Sequence, residues 1–416
     1  MTEFFNVLAP DDARELLLRH ITPLTDSETV ATADALGRVT AVVTYAPQPL
    51  PTFRRSTMDG YAVRAGDTFG ASTSLPAFLD VTGEVPMGRA ADIILDKGQA
   101  ALVHTGGMIP ETADAVVQVE LTQIIGADIV NPPYEIEVFK AVAPGENVLQ
   151  IGEDVALEEE MLPAGHILRP QDLGGLLALG ITEIAVMRPP RVAILATGDE
   201  VISPDRDTGP GQIRDINSYT TAGQVTAAGG RPLTLGIVPD DLQALRDAAH
   251  KAMAEADMLV MSAGSSVSFR DMTAQVIAEL GEPGVLFHGV ATRPGKPTIG
   301  GVANGKPVIG LPGNPVSAMV QFDMLGRPAI HRLLGLAQPA MRGLVWATLT
   351  SNVASASGRE DYVPARLEKT AEGYQATPVF GKSNLIYTLV NADGLMKIPL
   401  NKGGLLAGEL VEVRLF

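Results

Sequence analysis

Asp199, Glu200, Asp240, Asp241 and Asp271 are the side chains best placed to do chemistry, because each follows one of three short apolar runs: "RVAILA" (191–196), "PLTLGIV" (232–238) and "DMLVMS" (257–262). Carboxylates that converge repel unless one takes a proton or a cation joins them. The chain has no cysteine, so any metal must be held by oxygen or imidazole. Oxygen ligands select Mg2+, Mn2+ or Ca2+. Taken singly, the same residues have plainer uses: Asp240 can cap the following helix and Asp199 can hold a turn. Two Gly-bearing turns, "SAGSS" (262–266) with Ser265 and Ser266, and "LPGNP" (311–315) with Pro312, Gly313, Asn314 and Pro315, stand just before helical patterns. Such turns aim backbone N–H groups and a positive helix end at one spot, which suits an oxyanion or phosphate; tight packing alone also produces them. "TRPGKP" (292–297) adds Arg293 and Lys296 on a rigid spacing. These are either cations for an anionic ligand or solvated surface charge.

The elements that must position these residues follow from periodicity. The three runs and a fourth, "KPVIGL" (306–311), alternate with helical patterns such as "YTTAGQVTAAG", "DLQALRDAAHKAMAEA" and "MTAQVIAEL". Unbroken apolar strands alternating with helices predict a parallel sheet covered on both faces, with ligands at the carboxyl ends of its strands. Residues 50–140 change to short alternating runs, "AFLDVTGEV", "AALVHTGGMIP", "DAVVQVE" and "YEIEVFKAV", and predict an all-β insertion. Residues 10–37 read as two helices, the first capped by Asp11 or Asp12, the second by Asp26 or Ser27 and ended by Gly37. "GENVLQIGEDV" reads as a turn, "RPQDLGGLLALG" as a short helix closed by Gly180, and "MRPPR" (187–191) as a linker. Residues 336–416 return to strands with turns about every ten residues, the pattern of a small barrel or sandwich.

Composition excludes several classes of function. A net charge of −17 argues against nucleic-acid binding, which takes a concentrated basic surface. No apolar run is long enough for a membrane helix, and "MTEFFNVLAPDDARELLL" lacks a basic start followed by an apolar stretch, so the expected location is cytoplasmic. There is no G-x-x-x-x-G-K-[ST] and no G-x-S-x-G. His20, His104, His166, His250, His288 and His331 are scattered without ligand spacing and read as structural or exposed. The Asp59-Gly60 pair in "STMDGYAV", taken alone, reads as a hairpin turn.

With "STMDGYAV", "HTGGMIP", "GEDV", "TGDE", "GQIRDINSY", "RPGKP" and "GLPGNPVSA" in that order, the chain resembles the molybdopterin molybdenumtransferase family, which includes MoeA and the gephyrin E domain. The resemblance spans nearly the whole length. It implies a multidomain α/β plus β protein: an elongated helical linker and dimerisation domain (1–49 and 141–187), an inserted β-rich domain (50–140), a three-layer α/β molybdopterin-binding domain with a parallel-type sheet (188–333), and a C-terminal β-barrel (336–416). It implies a homodimer that joins molybdate to adenylylated molybdopterin with Mg2+, releasing AMP and the molybdenum cofactor, and the preceding molybdopterin adenylyltransferase as a further partner. Carried over residue by residue, the functional positions fall on Asp59, Thr105, Asp154, Glu200, Asp240 and Asp271, with Glu200, Asp240 and Asp271 as metal ligands. Pro312, Pro315 and Ser383 of "GKSN" also match, and Asp59 would enter from the partner subunit. Two departures stand out: Ala263 and Ser268 replace glycines of the family's loop, and Arg293 and Gly289 stand where lysines are usual. The rival readings are a non-catalytic pterin- or protein-binding scaffold and the preceding adenylyltransferase step.

Overall fold

The computed structural model describes residues 7–126, 131–263, 267–338, 340 and 342–416. The chain forms two compact units: one comprises residues up to Val42, Ala164–Arg169 and Glu183–Phe416, the other Val43–Pro163 and Pro170–Thr182.

In the first unit the four apolar runs form β1 (Arg191–Thr197), β2 (Arg231–Val238), β3 (Met258–Ala263) and β6 (Lys306–Pro312), with β4 (Pro283–His288) and β5 (Ile299–Ala303) between the last two. The sheet order is β2-β1-β3-β6-β5-β4; the first four strands are parallel and β5 and β4 run antiparallel at the edge. Side chains alternate between two cores. Val192, Ile194, Val260 and Ile309 pack with Val225 of helix Asn217–Ala227 and with the helical stretch that starts at Pro315. Ala193, Leu195, Leu259 and Met261 pack with Leu245 and Ala249 of helix Leu242–Glu255 and with Val276 of helix Val267–Glu279. This is a three-layer α/β domain. β2 departs from the expected two-sided burial: it is the edge strand, and Leu235 and Ile237 are exposed.

Residues 336–416 form β7 (Leu344–Leu349), β8 (Glu360–Thr370), β9 (Gly373–Pro378), β10 (Gly394–Ile398) and β11 (Leu410–Leu415). Their order is β8-β9-β7-β11-β10, and β10 pairs back onto β8, so the sheet closes into a five-stranded barrel without free edges. Its interior holds Leu349, Ala365, Met396 and Val413.

The N-terminal reading needs correction. Pro10–Arg19 is a helix, but it starts with Pro10 at its first position and neither Asp11 nor Asp12 caps it. The predicted second helix is instead the strand Ser27–Ala31 followed by one 3-10 turn, Thr32–Asp34. The strand pairs antiparallel with Glu183–Met187, a partner that local spacing cannot reveal. The "MRPPR" stretch is firmly held: Arg188 donates to both carboxylate oxygens of buried Asp257 (2.8 and 3.2 Å), and the Arg191 N–H donates to Asp257 at 2.7 Å.

In the second unit, Gly60–Val63, Ala77–Glu84, Gln99–Val103, Ala115–Gln118, Thr122–Ile125 and Tyr134–Val138 form one six-stranded sheet around Tyr61, Leu79, Val117 and Ile136. The short helix Pro170–Ala178 is present, and Gly180 follows it with φ +77°. Asp59-Gly60 is no hairpin turn. Arg55–Ser56 pairs with Val148–Leu149, while Gly60 opens a strand flanked by two others. Glycine is required at 60 by close approach, since a Cβ there would lie 2.0 Å from the Val117 carbonyl oxygen.

Candidate active site

β1 and β2 are neighbours, so the loops leaving their carboxyl ends meet. The Asp240 N–H donates to Asp199 Oδ1 at 3.2 Å, tying the two loops together. Asp199 therefore links two loops. The cap of the next helix is Asp241, which accepts from the Ala244 N–H at 2.8 Å, and not Asp240. Local desolvation, then the charges of Asp199 and Glu200, push the exposed Asp240 carboxyl above its usual range. Asp271 stands inside the helix Val267–Glu279 and is exposed, because that helix starts before the "MTAQVIAEL" pattern that the sequence shows. Among the described residues no three Asp, Glu, His or Cys side chains stand close enough to hold a metal, so Glu200, Asp240 and Asp271 do not form a ready-made cage.

The strand order reverses at β1 and β3: the chain leaves β1 toward β2 on one side and β3 toward β6 on the other. Open α/β sheets bind ligands at such a point. Here Asn217, the first residue of its helix, donates from Nδ2 to Ser262 Oγ (2.9 Å) and to the Gly313 carbonyl (2.8 Å). Thr197 Oγ1 donates to the Ser262 carbonyl at 2.9 Å. Buried hydrogen bonds thus tie the ends of β1 and β3 to the "LPGNP" turn. Ser265 and Ser266 lie outside the described residues.

A cleft of about 1050 Å3 opens beside that turn, between the α/β sheet and the barrel. It brings together the predicted Arg293, Lys296, Pro312, Asn314 and Ser383, with Arg359 and Lys382 added. Gly313 and Pro315 flank Asn314 in the same turn. Asn314 Nδ2 donates to Ser383 Oγ at 3.0 Å, and the Val316 N–H donates to the Ser383 carbonyl at 3.1 Å, so the "GKSN" loop docks on the start of the helix Pro315–Gln321. Buried Asp361 accepts from Arg359 Nε at 2.8 Å and stands 3.8 Å from Arg293 Nη1, which places two guanidinium groups around one carboxylate. The "TRPGKP" loop is fixed from below by Gln321, whose Nε2 donates to Thr292 Oγ1 (2.8 Å) and to the Pro294 carbonyl (3.1 Å). That approach requires Gly295: its φ is +106°, and a Cβ would lie 2.4 Å from Gln321 Cγ. Sequence reasoning missed Arg359, Lys382 and Gln321. Lys382 adjoins the quoted Ser383, and Arg359 stands in the Gly-Arg turn before β8; those were the available signals.

In the second unit Asp59 is exposed and its Oδ1 accepts from the Thr105 N–H at 2.9 Å, joining two of the predicted residues. His104 stands between two acids, with Nε2 2.9 Å from Glu84 Oε1 and Nδ1 3.8 Å from Asp59 Oδ1. Asp154 is exposed in the turn after Gln150, with its N–H bonded to the Leu50 carbonyl at 3.0 Å.

The chain is similar to known proteins along its whole length. Residues 8–180 match the MoeA N-terminal region (domain I and II), residues 193–332 a model described as "Probable molybdopterin binding domain", and residues 347–416 the MoeA C-terminal region (domain IV). The chain is 34% identical over 393 residues to molybdopterin molybdenumtransferase 2 of Mycobacterium tuberculosis, covering 92% of this chain and 94% of that one. It is 31% identical to molybdopterin molybdenumtransferase of Haemophilus influenzae, covering 99% of both. Among solved structures, the molybdopterin biosynthesis MoeA protein of Pyrococcus horikoshii OT3 superposes with a TM-score of 0.85 at 32% identity, over 99% of this chain and 100% of that one. Three family models in the expected order and full-length relatives above 30% identity lead to one conclusion: the chain belongs to the MoeA family of molybdopterin molybdenumtransferases, transferases of molybdenum cofactor biosynthesis.

Proposed function

We propose that the protein inserts molybdenum from molybdate into adenylylated molybdopterin with the help of Mg2+, releasing AMP and the molybdenum cofactor. The observation that carries this reading is the cleft, where Arg293, Lys296, Arg359 and Lys382 face one space in a chain of net charge −17. Both proposed substrates are anions, and an acidic protein must concentrate its cations to hold them. In this reading Arg293, Lys296 and Ser383 bind molybdate, and the "LPGNP" backbone or Ser265 and Ser266 receive an oxyanion. Guanidinium forks match tetrahedral oxyanions in geometry as well as charge.

The crowded carboxylates suit a hard cation. Asp199 and Glu200 raise the proton affinity of Asp240, so a positive charge there would relieve their repulsion. Mg2+ is commonly held by one or two carboxylates, with water and substrate phosphate completing its shell, and Glu200 and Asp240 fit that role better than a three-carboxylate set with Asp271. When bound, it would offset the charge of the phosphoanhydride. Asp59, with Thr105 and Asp154, is assigned to the same reaction as the acid contributed by a second copy in a homodimer. Positioning and electrostatics supply the rate, without a protein nucleophile.

The test is an AMP-release assay with adenylylated molybdopterin, molybdate and Mg2+, run on wild type, Asp240→Ala and Asp59→Ala. Each variant is expected to stay folded and lose turnover; full activity in either would refute the residue assignment. A scaffold without catalysis would release no AMP in the wild type.

A further inference from the structure

A second cavity, of about 390 Å3, lies in the first unit among the helix Pro10–Arg19, the helix Arg327–Leu333 and the barrel. Among the described residues its lining shares only Tyr362 with the cleft described above. Among the described residues five arginines line it, Arg14, Arg327, Arg332, Arg342 and Arg414, against one lining carboxylate, Asp323. Arg14 has its own partner in Asp11 at 2.8 Å.

Asp323 is buried in a π-helical turn, Phe322–Gly326, within an otherwise α-helical stretch. Such insertions interrupt the regular ladder and recur at functional sites. Both Asp323 oxygens accept from Arg342 Nη1 at 2.6 Å; Arg327 Nε stands 3.2 Å away and Arg414 Nη2 3.4 Å. One negative charge therefore faces three mostly buried guanidinium groups. Their surplus has consequences. Burial first, then the charge of Arg342, hold Arg327 below its usual range. Burial, Arg327 and Arg342 draw His331 down to about 4, so it adds no further charge at neutral pH. Arg327 Nε is buried without an acceptor in hydrogen-bonding geometry, despite its closeness to Asp323. Uncompensated buried charge is costly, and an anion entering from outside removes the cost. Leu18, Met324, Pro328 and Leu336 supply an apolar wall beside the cations.

We propose that this cavity is a second ligand site, distinct from the cleft, which takes a small organic oxyanion: a phosphate or carboxylate head on the guanidinium groups and an apolar body on the Leu18–Met324 wall. Guanidinium groups pair bidentately with either head. The proposal does not depend on the metal-insertion reading, because none of the residues assigned to that reaction lines this cavity.

The experiment is isothermal titration of the full-length protein with phenyl phosphate, benzoate and inorganic phosphate at constant ionic strength. At least one organic probe is expected to bind saturably and more tightly than inorganic phosphate. Arg342→Gln and Arg332→Gln should each weaken it by about tenfold or more, the range for a lost charge-assisted hydrogen bond, while Arg293→Gln leaves it unchanged. Arg332 is exposed, so its variant remains informative if Arg342→Gln fails to fold. The proposal is overturned if neither organic probe saturates, if inorganic phosphate binds as tightly as both, or if binding responds to Arg293→Gln and not to the two cavity variants.

Discussion

Replacing Gly295 by alanine tests whether the cation-bearing loop is held in place from beneath. The new Cβ would stand 2.4 Å from both Cγ and Nε2 of Gln321, at a backbone φ of +106°. A non-glycine residue at such a φ costs about 1–3 kcal/mol, and forcing extra volume against a buried neighbour about 1–3 kcal/mol more. Gly295→Ala should therefore destabilise by about 2–6 kcal/mol. Gln321→Ala removes the obstructing atoms but also the hydrogen bonds to Thr292 and Pro294, costing about 1–3 kcal/mol. In the double variant the steric part disappears, so the two effects should fall short of additivity by about 1–3 kcal/mol, a coupling that a double-mutant cycle resolves. The assay is urea unfolding of the four proteins, followed by molybdenum-insertion rates on those that fold. Because Arg293 and Lys296 flank Gly295, each single variant should also slow turnover by about tenfold or more through misplacement alone. Additive stabilities, or a Gly295→Ala protein as stable and active as wild type, would refute the reasoning.

Three further expectations follow from charge and packing. Asp240→Asn relieves repulsion from Asp199 and Glu200, but Asp240 is exposed and solvent screens that repulsion, so the variant should raise the stability of the unliganded protein only slightly, by about 0.5 kcal/mol or less in urea titrations, while lowering AMP release. Asp257→Ala leaves Arg188 without its buried partner and should cost about 3–5 kcal/mol. Burial opposes ionisation of Asp257, but Arg188 and the Arg191 N–H outweigh it and hold the carboxyl below its usual range. Its contribution is therefore full above the unfolded-state value, about 4, and is lost as pH falls through the lower folded-state value; acid titration of Asp257→Asn should lack that component. Gly60→Ala drives a Cβ into the Val117 carbonyl and should destabilise the second unit by about 3 kcal/mol or more, read by thermal unfolding.

Apolar runs carried most of the fold. "RVAILA", "DMLVMS" and "KPVIGL" are continuous because both faces of β1, β3 and β6 are covered, and their Gly-rich ends marked the right sheet edge. β4 and β5 were not read as strands, since "PGVLFH" and "IGGVA" are short and Gly-bearing. The Ser27–Ala31 strand was invisible for another reason: its order comes from residues 183–187, and capping residues around it imitate a helix start. At the site, proximity of Asp199 and Asp240 followed from adjacent strands, whereas Arg359 and Lys382 sit in isolated turns that only the closed barrel carries to the cleft. Asp-Gly at 59–60 misled because small size serves two ends; here it admits a neighbouring carbonyl rather than a tight reversal.

The antiparallel ribbon made by residues 27–31 and 183–187 also constrains the order in which the polypeptide can mature. During synthesis the first partner emerges long before the second, and everything between must be accommodated in a closed loop. Closure entropy rises only slowly with loop length, and a segment that has already collapsed shortens the gap further. The intervening sheet, built from pairings within residues 60–138, is therefore expected to acquire protection from hydrogen exchange before the ribbon does in refolding from urea, with ribbon amides among the last to be protected.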